Sequence, residues 1–135
     1  MGRREHEVGG VVTASLQASG ARWRAVADGE WGLELDDVGG GPLHVGLRLH
    51  DGLLSVQAWA APPGVLDAHR LLHRNRLGAL ARYAHSAAGD VHVHAEALAE
   101  GLTAAGLDRL LGAVVEAVEA ARSASPPPYA ARRRA

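Results

Sequence analysis

The chain has 135 residues, enough for one domain with a core of its own. Hydrophobic residues make up 47% and charged residues 21%, ordinary values for a globular domain. A formal net charge of -1 gives no electrostatic reason to expect nucleic acid or an acidic membrane surface as a partner. The lack of cysteine excludes a disulfide, a thiolate nucleophile and a cysteine metal site. The charged start Met1–Glu7 is followed by no apolar signal-like stretch, and no stretch is long enough to span a bilayer, so a cytoplasmic location is expected. Lysine, isoleucine and phenylalanine are absent; arginine, leucine, valine and alanine take their places.

In chain order, residues Glu7 to Ser19 predict a short helix, with Val8, Val11, Val12 and Leu16 on one face and Gly20 as its stop. From Ala21 to Ala60 the period changes to two. Trp31, Leu33 and Leu35 alternate with polar residues, as do Leu43, Val45, Leu47 and Leu49, the pattern of antiparallel strands with one wet face. Asp51-Gly52 is a two-residue hairpin turn. It sets Leu49 against Leu54, Leu47 against Val56, Val45 against Ala58 and Leu43 against Ala60. On the outer face it sets His50 against Leu53, Arg48 against Ser55, Gly46 against Gln57 and His44 against Trp59. A three-residue loop Ala27-Asp28-Gly29 sets Ala25 against Trp31, Trp23 against Leu33 and Arg22 against Glu34. A helix is then expected from Val65 to about Ala87, its apolar phase slipping near Asn75. A fifth strand carries Val91, Val93 and Ala95 on one side and His92, His94 and Glu96 on the other. Thr103 caps a last helix, with Leu107, Leu110, Leu111, Val114, Val115 and Val118 at helical spacing. The tail from Ser125 to Ala135, with Pro126-Pro127-Pro128-Tyr129 and Arg132-Arg133-Arg134, lacks core residues and is expected to be disordered. The expected organisation is thus a domain over residues 1–124 and a tail over 125–135.

The chemistry-bearing residues give no catalytic constellation. His92 and His94 lie two apart on a strand, and His69 and His73 four apart on a helix. Either pair can present two imidazoles to a metal, yet no third ligand is implied and a solvated face explains both. Such a face changes charge near neutral pH and makes binding pH-dependent. Gly39-Gly40-Gly41 lacks the lysine and hydroxyl of a phosphate loop and reads as a strand connection. Asp36 and Asp37 are adjacent and point apart, and the serines lack a nucleophile context. Asn75, a poor helix former, is assigned a structural role at a break, bonding to backbone groups. Trp59 is placed outward near His44, Arg48 and Gln57. It is either a protein-contact anchor or is covered by another element.

The run Leu71-Leu72-His73-Arg74-Asn75-Arg76-Leu77, then Ala81-Arg82-Tyr83, then Gly89-Asp90-Val91-His92-Val93-His94-Ala95-Glu96-Ala97-Leu98, resembles the YbjN-like group, which is related to the CesT-type class I type III secretion chaperones. Leu107-Asp108-Arg109-Leu110-Leu111 supplies the group's closing helix. The resemblance implies a curved antiparallel sheet with helices on one face, frequent dimerisation and a peptide-binding or chaperone-like role. The near-neutral charge and the arginine-rich tail depart from the acidic secretion chaperones.

These readings converge on an α+β fold with an antiparallel sheet of about five strands, in the order α-β-β-β-β-α-β-α. The expected function is non-enzymatic protein or peptide binding without a cofactor, by a homodimer, with Trp59, His44, Arg48 and Gln57 at the contact. No nucleic-acid or membrane partner is expected. The alternative is a small-ligand or metal-binding protein using the histidine face.

Overall fold

A computed structural model describes residues 2–124. Met1 and the tail, with its proline run and Arg132-Arg133-Arg134, lie outside the described residues.

The first helix, α1 (Arg3–Ser19), starts four residues before the expected Glu7 and stops at Gly20, which takes φ +74°. A left-handed residue here closes the last turn without a Cβ penalty. Val8, Val12 and Leu16 are its buried stripe, and Gly9 lies against the Trp31 indole.

Four strands follow: β1 (Arg22–Ala27), β2 (Glu30–Leu35), β3 (Leu43–His50) and β4 (Leu53–Ala61). Between β1 and β2 the pairs are Arg22 with Glu34, Trp23 with Leu33 and Ala25 with Trp31, as the three-residue loop requires, with a bulge between Ala25 and Ala27. Gly29 sits at φ +71°. At the next hairpin Asp51 (φ 52°) and Gly52 (φ 74°) are both left-handed, the turn geometry that matches strand twist. The register runs from Val45–Ala58 through Leu47–Val56 and Leu49–Leu54 to His50–Leu53. Leu43 and Ala60 are both buried.

The second half departs from the sequence reading. The expected helix Val65–Ala87 is a shorter helix, α2 (Ala68–Leu77), and a strand, β5 (Ala81–His85). Asp67 caps α2 by accepting from His69 N at 3.2 Å. Helix-favouring alanine, leucine and arginine disguised β5, because local propensity yields to tertiary pairing. In β5, Ala81 and Tyr83 face inward, and the Tyr83 hydroxyl donates to Ala117 O at 2.7 Å. Strand β6 (Val91–Leu98) and helix α3 (Ala104–Ala124) complete the chain, and the Thr103 hydroxyl accepts from Gly106 N at 3.1 Å.

The sheet therefore has six antiparallel strands, not five, in the order β1-β2-β3-β4-β6-β5. Helix α3 packs across β4, β6 and β5, and α1 packs on α3. The core lies between them, built from Leu16, Leu43, Leu47, Leu54, Val56, Val93, Leu107, Val114 and Val118. Among the described residues the helices take one face and none covers the other.

Asn75 closes the outer edge of β5. Its Oδ1 accepts from Tyr83 N at 2.6 Å and its Nδ2 donates to Tyr83 O at 2.9 Å. One side-chain amide thus does for Tyr83 what a neighbouring strand would do, and an edge that would otherwise offer free backbone groups is blunted there.

Candidate protein-binding face

The open face follows from the register. Side chains that alternate with the core residues form rows running across the strands. One row runs Arg22, Glu34, His44; the next runs Arg24, Gly32, Gly46, Gln57, His94, Arg82; a third runs Glu30, Arg48, Ser55, Glu96. The four predicted residues share this face. His44 and Arg48 flank Gly46 on β3, and Gln57 lies opposite Gly46 on β4. His44 and Trp59 lie one step beyond the last β3–β4 pair, Val45 with Ala58, and Trp59 pairs with His92 on β6.

Trp59 is half-buried, and its indole Nε1 donates to Asp90 Oδ1 at 3.0 Å. Asp90 is held in turn by the Ser86 hydroxyl, which accepts from Asp90 N at 3.1 Å. The indole is thus fixed by the β5–β6 connection, with part of its surface left to solvent. A rigid aromatic loses little entropy when it becomes a contact.

Charges on the face are largely matched. Glu34 lies 3.5 Å from Arg22 and 3.3 Å from His44, and Glu30 lies 3.5 Å from Arg48. Arg22 also meets Asp36, and Arg82 meets Glu96. These exposed pairs stabilise little and mainly orient the side chains. His92 and His94 stand with ring centroids 6.2 Å apart. Partial burial, and then the neighbouring His92 and Arg82, hold the His94 pKa below its ordinary value, while Glu96 pulls the other way.

No group of three histidines or carboxylates among the described residues is placed to hold a metal ion. His69 and His73 lie on α2, both exposed, and neither belongs to the rows of the open face. Among the described residues no helix is long and apolar enough to cross a membrane.

Four residues escaped the sequence reading. Asp90, which tethers Trp59, gave no signal, since its partner is 31 residues away. Arg122 is buried and donates to the carbonyls of Val38 (2.9 Å), Pro42 (3.0 Å) and Ala60 (3.3 Å). Its signal was present: Val114, Val118 and Arg122 are four apart, so the arginine continues the buried stripe. Gly32 and Gly46 were read only as members of an alternating pattern.

This architecture, a twisted antiparallel sheet with helices on one face, is the type III secretion chaperone fold. The chain superposes on structures solved as the HopA1–SchA chaperone–effector complex (TM-score 0.73, 14% identity, 90% of this chain and 98% of that one). It also superposes on the ExsC–ExsE complex (0.68, 17%, 94% and 98%). The third is the ExoU–SpcU complex of the Pseudomonas aeruginosa type III secretion system (0.62, 20%, 84% and 97%). No family model matches the sequence, and no curated protein matches it either.

Proposed function

We propose that this chain is a non-catalytic, chaperone-like protein of the cytoplasm that binds a protein client on the open face of its sheet. The observation that carries the reading is the bare six-stranded face, which holds a tethered, half-exposed tryptophan among ordered polar side chains. Exposed aromatic and arginine side chains around a rigid centre are what protein contacts select. Trp59 is the anchor, His44 and Arg48 are the rim, and Gln57 offers an amide to a client backbone. The fold supports the reading: the structures it resembles were solved as complexes, one of them named as chaperone with effector.

The chain acts as a homodimer in this reading. Helix α2 has no buried residue, and its Leu72 and Leu77 are 65% and 72% exposed. Leu80 adds to this surface beside a groove of about 700 Å³ between β5 and α3. Two copies meeting at these leucines would cover them.

The test is capture of the tagged full-length chain at native expression level, with mass spectrometry of what co-purifies. One dominant protein at near-equal amount is expected, and it should be lost with Trp59→Ala. A clean preparation without any partner refutes the client reading. Light scattering tests the dimer separately: Leu72→Glu combined with Leu77→Glu should give a monomer.

A further inference from the structure

Gly32 and Gly46 face each other across β2 and β3, in the middle of two well-paired strands. Glycine is a poor choice there: it costs conformational entropy and presents no side chain to pack. Nothing in the fold demands it. Neither residue has a positive φ. A Cβ added at Gly32 would meet only Val26 Cγ2, at 3.7 Å, and one at Gly46 only the Gln57 carbonyl, at 3.9 Å. Both are ordinary contacts, so alanine fits at either position.

The effect of the two glycines lies outside the fold. They expose bare backbone at the floor of an open concavity of about 520 Å³. The Glu34–His44 pair walls one side, beside Arg22 and Arg24, and the Glu30–Arg48 pair lies in the neighbouring row of the sheet. Val26, 57% exposed, stands at its β1 end. Arg24 lies directly opposite Gly32 in the same row. The carboxylates of Glu34 and Glu30 are already taken by Arg22, His44 and Arg48, whereas exposed Arg24 pairs with no carboxylate among the described residues. The charge left unmatched at this trough is positive.

We infer that the Gly32–Gly46 trough is a side-chain pocket of the client site, taking an aromatic residue flanked by a carboxylate. The ring lies on the two glycines, as cross-strand aromatics do in sheets, and the carboxylate reaches Arg24. The inference rests on the open-face reading and names its centre: three of the four residues assigned to the contact, His44, Arg48 and Gln57, surround Gly46. The class of client segment that fits is acidic and aromatic.

The experiment is an NMR titration of the isotope-labelled full-length protein with a short synthetic peptide, one tryptophan between glutamates in a glycine–serine background. Saturable shifts at the Gly32 and Gly46 amides are expected, and should vanish when the peptide's tryptophan is alanine and weaken when its glutamates are glutamine. The double variant Gly32→Ala, Gly46→Ala should keep or raise the melting temperature. It should bind the peptide at least about tenfold more weakly, the scale of one anchor contact. Unmoved glycine amides, or an unchanged Kd in that stably folded variant, overturn the inference. Client capture separates the two readings. A client retained by the double glycine variant but lost with Trp59→Ala leaves the open face as the contact and removes the trough from it.

Discussion

Arg122→Met is the substitution whose cost the structure sets most directly. Arg122 is 1% exposed, and its guanidinium ties two segments far apart in sequence: the loop carbonyls of Val38 and Pro42, at 2.9 and 3.0 Å, and the β4 carbonyl of Ala60, at 3.3 Å. Methionine replaces much of the aliphatic stem, so the loss is mainly polar. The three shortest of its five carbonyl contacts lose a charge-assisted donor, at about 1.5 kcal/mol each, and relief of the guanidinium's desolvation returns part of this, leaving about 3 kcal/mol. Against a typical domain stability of about 5–15 kcal/mol that is a large fraction, and it corresponds to a melting temperature lower by roughly 10 °C. Equilibrium urea unfolding, followed by circular dichroism and tryptophan fluorescence, should show a lower midpoint at unchanged slope. Arg122→Lys keeps the charge but loses the fork geometry, and should fall between the two. A cost below about 0.5 kcal/mol for Arg122→Met, within the range of ordinary surface substitutions, would refute the assignment of these bonds as the loop's anchor.

Other substitutions test separate joints. Asn75→Ala removes both bonds to the Tyr83 backbone and should cost about 1–2 kcal/mol, with hydrogen exchange at the Tyr83 amide accelerating while the Val93 amide stays protected. Because His94 has a folded pKa below its ordinary value of 6.5, the unfolded chain takes up the proton more readily, so stability falls as pH drops through that value. His94→Gln should therefore flatten the loss of melting temperature between about pH 7.5 and about pH 5.5; an identical loss in both proteins would remove His94 as a source. Trp59→Phe deletes the donor to Asp90 but keeps a ring, so it should cost about 1 kcal/mol of stability and retain client capture better than Trp59→Ala.

The first half of the fold was legible because its turns are chemically explicit. Asp51-Gly52 admits one tight hairpin, and one register then places every core residue inward, so the β3–β4 pairing follows from a few residues. The second half was not legible in the same way. Between Leu77 and Ala81 the chain changes period within a few residues that all suit a helix, and the phase slip at Asn75 was the visible trace of that change. Asn75 was assigned to backbone bonding at a break, and it does bond backbone, but the partner is a strand rather than a kinked helix. The placement of Trp59, His44, Arg48 and Gln57 on one face followed from alternation alone. The tether from Asp90 did not, because alternation says which face a side chain takes and nothing about loops that return to it.

The two edges of the sheet are treated differently, and that bears on where a client can approach. The β5 edge is occupied at Tyr83 by Asn75, with α2 packed alongside. Among the described residues the β1 edge has no such cover: Arg24 to Ala27, four in succession, are exposed. It is protected against indiscriminate pairing by other means, namely two arginines and the bulge between Ala25 and Ala27, devices that keep exposed edges from joining like strands. The bulge lies beside Val26, whose side chain leans toward Gly32, so the irregularity that guards the edge also shapes the end of the trough. The side of the molecule left open by α2, an arginine without an acidic partner among the described residues, and the pair of bare glycines thus fall on the β1–β3 half of the sheet. In the proposed reading, a client entering from that side would meet Arg24 first, then the glycine floor and then Gln57, in the order in which charge, ring and backbone contacts would select it.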